Sequence, residues 1–452
     1  MDIMQTPLNW AEVVDYAKRY RVQPPKTQYE LPGITQEDHN GVAVAVPPAW
    51  HAVVTAKVAF APDPTILRAA QDRLGRALAE IESIFPLQPN GLFMQVAYGL
   101  PYFEHYLAHE LVEQHMPRAL EGGQASRSAI IETIRFPKDP DDLILEHNDI
   151  CFHFKSDYRD NITAVIGALF YPGEKFLNGI PVGWVDVSDL FRVTSIRRGF
   201  LGKNLPKIIG TRERIPGAEK IPDGAMLFMG FTSSHVHGLA QGNLPSFETI
   251  PGYTDATPSS YFAGGTAMHL SHILLDLEGW YKLDHRARLH RMFNPRRTDE
   301  PAVLSPSQAP DTSTFKAELD RDARNYQVIG HNEQMQHLTR LESATTTAYG
   351  QRLVRGTVVF LRQDFDTIEN PFEYWSGGTV STVPRSGVHF VGMAPSSQFF
   401  EQVRREMDSV EIQQRYGLAD ENIGFTKFLA TTHRQNFLLP PRAHRSFPLA
   451  EL

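Results

Sequence analysis

The sequence predicts an α+β fold: tandem ferredoxin-like domains of the dimeric α+β barrel type, with antiparallel sheets and helices on one side of each. Two kinds of observation predict it. A strand–helix–strand pattern occurs twice over in each half of the chain, which is the ferredoxin-like grammar. Within it, apolar residues alternate where strands are expected, as at Ile150, Phe152 and Phe154, and fall near helical spacing in between, as at Ile66, Leu67, Leu74, Leu78 and Ile81.

Residues 1–40 hold a short amphipathic piece followed by the polar, proline-rich "VQPPKTQYELPGITQEDHNG", an arm packed on the surface. The first domain is expected over 41–255. In it "AVVTAKVAFAPDPTILRAAQDRLGRALAEIESIF" passes from strand through a Pro-Asp-Pro turn into helix, "GLFMQVAYG" is a strand, and "DICFHFKSDYRDNITAVIGALF" is a strand then a helix. A long insertion, 171–250, carries many Gly and Pro residues. The second domain spans 256–452: "GGTAMHLSHILLDLEGWYKL" as strand into helix, "GTVVFLRQ" as strand, "GVHFVGMAPSSQFFEQVRREMD" as strand, turn and helix, and "FTKFLATT" as the closing strand. Residues 296–330 are polar and loop-like.

The chain has 452 residues, enough for a large core. A net charge of −8 gives no overall pull toward nucleic acid or anionic membrane. A single cysteine, Cys151, excludes an intrachain disulfide and a thiolate cluster. With no signal-peptide pattern at the N-terminus and no run of about 18 apolar residues, a cytoplasmic protein is expected. Sheet edges of such units often pair with another subunit, which leaves a homo-oligomer open.

His269 and His272 stand three apart, which on a helix would put both imidazoles on one face. The segment instead alternates, with Met268, Leu270, His272 and Leu274 set against Ala267, His269, Ser271 and Ile273. Residues 266–275 are therefore expected as strand, with the two histidines on opposite faces and no metal held between them. Helix is expected to begin near Asp276, whose carboxylate and that of Glu278 suit a first turn.

"YFAGGTAMHLSHILLDLEGWYKL", "PNGLFMQVAYGLPYF", "HNDICFHFKSDYRD" and "GVHFVGMAPSSQFFEQVRREMD" together resemble, in order, the strand and helix segments of dye-decolorising (DyP-type) peroxidases. The closing "TTHRQNFLLPPRAHRSFPLAEL" is more similar to a divergent branch of that superfamily. The resemblance covers most of residues 40–450 and implies haem b in the second unit. "YQVIGHNEQMQHL" offers His331 as the iron's axial ligand, with His337 next in line if the alignment slips, and "VVFLRQDFDT" offers Arg362 on the open face. The intervening "ESATTTAYGQRLVRG" would then be a surface hairpin. An imidazole leaves one face of the iron open to peroxide, and a guanidinium stabilises charge that develops there.

The family's G-F-x-D-G fingerprint is changed. In "LFMGFTSSHVHGLAQG", Gly230 and Phe231 are kept, but Ser233 stands where the proton-shuttling aspartate belongs. A serine hydroxyl is no base near neutral pH. His235 or His237 could take its place, since imidazole titrates in the right range. The basic stretch "SIRRGFLGKNLPKIIGTRER" could receive haem propionates, though a solvated loop explains it as well. The expectation is a haem peroxidase-like oxidoreductase that uses hydrogen peroxide on a small organic substrate, with altered distal chemistry. The alternatives are a non-catalytic haem-binding or haem-processing protein, or a haem-free relic of the fold.

Overall fold

The computed structural model describes residues 23–39, 42–173, 176–177, 180–181, 185–231, 244–299, 304–369, 371–372 and 383–452. Eight strand positions form a ring that closes on itself, and a two-residue strand, Ile144–Leu145, extends the sheet by pairing parallel with Leu429–Leu439. The first half supplies β1 (Trp50–Val58), β2 (Phe93–Gly99), β3 (Ile150–Ser156) and β4 (Phe191–Phe200), ordered β4-β1-β3-β2. The second supplies β5 (Thr266–Leu275), the interrupted strand β6 (Leu361–Arg362) and β7 (Phe365–Thr367), β8 (Gly387–Ala394) and β9 (Leu429–Leu439). Their order, β9-β5-β8-β7, repeats that of the first half. Antiparallel pairing joins the two sets at Phe437 with Gly99, Leu438 with Tyr98, and Phe200 with Asp366. The edges of the two sheets therefore pair with each other, which removes the edge argument for a homo-oligomer.

Helices cover the outside. Helix α1 (Pro64–Ile84) starts at Asp63, whose carboxylate accepts the Thr65 and Ile66 N–H groups, and Pro64 follows at its first position. It buries Leu67, Ala70, Leu74, Ala77, Leu78 and Ile81; Ile66, counted with that stripe in the sequence, faces solvent. With α2 (Arg159–Phe170) it packs on Val54, Val96, Phe152 and Phe154, the outward row of the first sheet. The inward row includes Val53, Ala97 and Cys151. Alternation along each strand thus separates a helix-facing core from a barrel interior.

Much of that interior is polar. His51 Nδ1 meets His153 Nε2 at 3.1 Å. Lys155 donates to Gln95 Oε1, Gln95 to Gln363 Oε1, and Gln363 to the Tyr29 carbonyl. His389, His272 and His433 lie in register across β8, β5 and β9. Burial holds all five imidazoles neutral, with His272 and His51 lowered to about 3. The arm residue Gln28 bonds Val96 and Pro440, so described residues of the arm are fastened to the barrel.

The strand over 266–275 matches β5, and His272 lies in the barrel while His269 stacks on Phe400 outside it. Four local readings differ. Residues 171–250 contain β4, which the sequence hid because its inward residues, Ser195 and Arg197, are polar. Arg197 is no solvated loop residue: it is fully buried and donates to both Glu146 oxygens at 2.7 Å. Residues 296–330 contain α3 (Thr312–Tyr326), capped by Asp311. The closing strand starts at Leu429 and runs to Leu439, after a single 3-10 turn over Thr426–Phe428.

Gly199 sits where β4 meets β7, and a Cβ there would lie 2.0 Å from the Asp366 carbonyl oxygen. Gly199→Ala is expected to cost about 1–3 kcal/mol, read as a lower midpoint in urea unfolding. An unchanged midpoint would mean that this seam does not constrain the barrel.

Candidate functional site

The second half does not repeat the packing of the first. Where α1 and α2 lie flat on the first sheet, the outer face of the second is covered only in part: Phe400 stacks on His269, ring centroids 3.6 Å apart, and beside that contact a cavity of about 220 Å³ is left between sheet and helices. Ser271, Ile273, Val388, Phe390 and Thr431 form its sheet side. Helix α4 (His331–Thr339) and helix α5 (Ser397–Asp408) form the other, through His331, Met335, Phe400, Val403 and Met407. Phe231, Phe293 and Phe425 add aromatic walls.

His331 is the first residue of α4. Gly330 before it packs against Phe293 at the end of the helix His285–Met292, so closely that a Cβ would lie 1.9 Å from the Phe293 carbonyl oxygen. Its N–H donates to Glu333 Oε2 at 3.1 Å, which closes the first turn. The imidazole leans on Phe425, ring centroids 4.0 Å apart. Its Nδ1 is buried without a hydrogen-bond partner. Burial, reinforced by the Arg362 and Arg404 charges, lowers its pKa to about 3, so the ring is neutral with a lone pair available.

Arg362 ends β6 on the same cavity. Along "RQDFD" alternation continues through the break between β6 and β7. Arg362, Asp364 and Asp366 line the cavity, while Gln363 and Phe365 enter the barrel. Asp364 Oδ1 accepts the Val391 N–H at 3.1 Å, and its Oδ2 lies 3.5 Å from Arg362 Nη1. Burial, partly countered by Arg362, raises Asp364 to about 6. Asp366 Oδ2 accepts the Phe228 N–H at 2.7 Å, and its burial raises its pKa well above the usual carboxylate range. Neither carboxylate was singled out from the sequence, although the R-x-D-x-D spacing after an expected strand carried the signal.

One side of the cavity is cationic. Lys138, Arg404 and Arg434 reach it, and the two arginines share Asp139, at 3.2 and 2.5 Å. Both guanidiniums also stack over Phe136.

The structure thus brings His331 and Arg362 to one cavity. "ESATTTAYGQRLVRG" between them forms a hairpin that pairs Thr345–Thr346 with Arg352–Leu353. His337 is not among the cavity residues; its Nε2 lies 3.7 Å from a Glu406 carboxylate oxygen. Ser233, His235 and His237 lie outside the described residues, but Phe231, two positions before Ser233, borders the cavity. Arg197, offered for propionates, faces the barrel and cannot serve this cavity.

The fold is similar to that of a DyP-type peroxidase from Cellulomonas bogoriensis, with a TM-score of 0.51 and 17% identity over 92% of this chain and 98% of that one. DypB of Rhodococcus jostii, as a variant in complex with heme, gives a TM-score of 0.49 and 12% identity over 89% and 96%. The encapsulated DyP-type peroxidase from Mycobacterium smegmatis gives 0.47 and 14% over the same shares. At 17% identity the likeness to the Cellulomonas bogoriensis protein speaks for the fold, α+β with ferredoxin-like units. Among the described residues no helix is long and apolar enough to cross a membrane. No curated protein matches the sequence. Residues 48–441 match the model of a family of unknown function, DUF7405, and the chain belongs to that family.

Proposed function

We propose that this chain is a haem-dependent oxidoreductase that uses peroxide to oxidise a small organic substrate, with haem b in the cavity on the outer face of the second sheet and His331 as its axial ligand. The observation that carries the reading is that a neutral histidine and an arginine, 31 positions apart in the chain, line one largely apolar cavity. The residues present fit such a group. His331 offers a lone pair and has a buried nitrogen with no hydrogen-bond partner among the described residues. Among the described residues no three His, Cys, Asp or Glu side chains converge on a metal position.

A bound haem would supply a redox-active iron with one face open to peroxide. The Arg362 guanidinium, which borders the cavity, would stabilise negative charge on a peroxide oxygen. The aromatic and methionine walls exclude water and strengthen that interaction. Lys138, Arg404 and Arg434 offer charge for the macrocycle's carboxylates. The DyP-type likeness of the fold supports the same reading.

Purified protein supplemented with haem is expected to show a Soret band that His331→Ala abolishes or shifts and His337→Ala leaves in place. No band in the wild type would overturn the reading, and a band indifferent to His331→Ala would displace the ligand. Arg362→Leu is expected to keep the band and lower peroxide-dependent dye oxidation about 100-fold or more. Equal turnover would remove Arg362 from the reaction.

A further inference from the structure

The cavity holds two buried carboxylates that the proposed reaction has not yet used. They are not equivalent. Asp366 is committed to the Phe228 N–H at 2.7 Å and ties β7 to the segment that carries Gly230 and Phe231. Asp364 keeps Oδ1 on the Val391 N–H, in the gap where the strand is interrupted, and turns Oδ2 toward Arg362 at 3.5 Å. A carboxylate oxygen and a guanidinium thus face one cavity side by side, from positions two apart on one strand.

We propose that Asp364 is the proton carrier of this site, taking a proton on Oδ2 from a weak acid bound beside Arg362 and returning it to the bound ligand. The inference rests on the haem reading and names the base that Ser233 cannot be. With hydrogen peroxide the step is H₂O₂ and the Asp364 carboxylate giving HOO⁻ and the Asp364 carboxylic acid. The O–H bond breaks, its electron pair stays on the peroxide oxygen, and no electron changes hands. Arg362 offsets the new negative charge. Asp366, held by the Phe228 N–H, takes no part in the transfer.

The balance of charge around Asp364 suits a carrier. Arg362 and Asp366 flank it on its own strand, and Arg404, Arg434, Lys138 and His331 line the same cavity from α5, β9, a loop and α4. Burial pushes its pKa up and Arg362 pulls it back, leaving it at about 6. That is a value from which a carboxylate both accepts and returns a proton near neutral pH.

The test uses cyanide, added as HCN, on the haem-loaded protein, with the rate of the Soret shift followed from pH 4.5 to 8. HCN gives up its proton on binding, so the rate is expected to fall about tenfold per pH unit below pH 6 as Asp364 protonates. Asp364→Asn keeps an oxygen for the Val391 N–H and is expected to bind haem but lose that acid limb and run slower at pH 7. Asp364→Glu should restore the limb, and Asp366→Asn should leave it in place. In the haem-free wild type, a carboxylic-acid infrared band titrating near pH 6 should vanish in Asp364→Asn. No acid limb in the wild type, a limb that survives Asp364→Asn, or one that disappears only in Asp366→Asn would each overturn the assignment while haem binding stands. Failure of the wild type to take up haem would instead bring down the reading beneath it, and this inference with it.

Discussion

Closure of the sheet is the constraint on which the rest of the molecule depends. Each four-stranded set has its helices on one face and would leave the other to water. Pairing at Phe200 with Asp366, and at Phe437 and Leu438 with Gly99 and Tyr98, turns those two faces toward each other. Every strand residue then belongs either to the barrel interior or to the helix side, because side chains alternate with a period of two. The seam tolerates this only where backbones can touch, as at Gly199.

The interior so formed is not simply oily. The buried Arg197–Glu146 pair, the His51–His153 contact and the line from Lys155 through Gln95 and Gln363 to Tyr29 occupy it beside Met268, Leu270 and Phe437. Such groups gain little over apolar substitutes in stability, but removing one partner strands the other, at roughly 3–5 kcal/mol for a buried ion pair. They therefore act as registration: a slip of one strand would bring polar groups against the helices and apolar ones against Arg197. Some histidine nitrogens, on His153, His272 and His389, are buried without partners, and these rings are held neutral.

The same alternation makes the two halves differ outside the barrel. In the first half the outward row is apolar, with Ala52, Val54, Met94, Val96, Tyr98, Ile150, Phe152 and Phe154 in it, and α1 and α2 close on it. In the second it includes Ser271, Thr431, Arg434, Arg362, Asp364 and Asp366, which no apolar helix face can cover without stranding charge. Helix α5 reaches that surface where Phe400 stacks on His269, and over the polar positions the cavity remains. The polar outward row and the hollow are one feature seen from two sides.

The strand at 266–275, the helix that follows Asp276 and the divergence of His269 from His272 were legible in the sequence, because periods of 2 and 3.6 are local and need only neighbours to express themselves. Strand β4 was not, since a polar interior erases the apolar alternation by which strands are recognised, and α3 was masked by its polar surroundings despite Phe315, Leu319 and Ala323 at spacings of four. His331 and Arg362 were named one at a time by resemblance; that both face one cavity depends on the fold returning residue 362 beside residue 331. The exchange of Arg197 from basic loop to buried ion pair, and the arrival of Asp364 and Asp366 at the cavity, also depended on the closed sheet. By itself, then, the sequence determined the elements whose apolar pattern is local and the residue types available for chemistry. Which of them meet was decided only by the tertiary structure, because sheet closure pairs strands far apart in the chain and sets which face of each strand is inside.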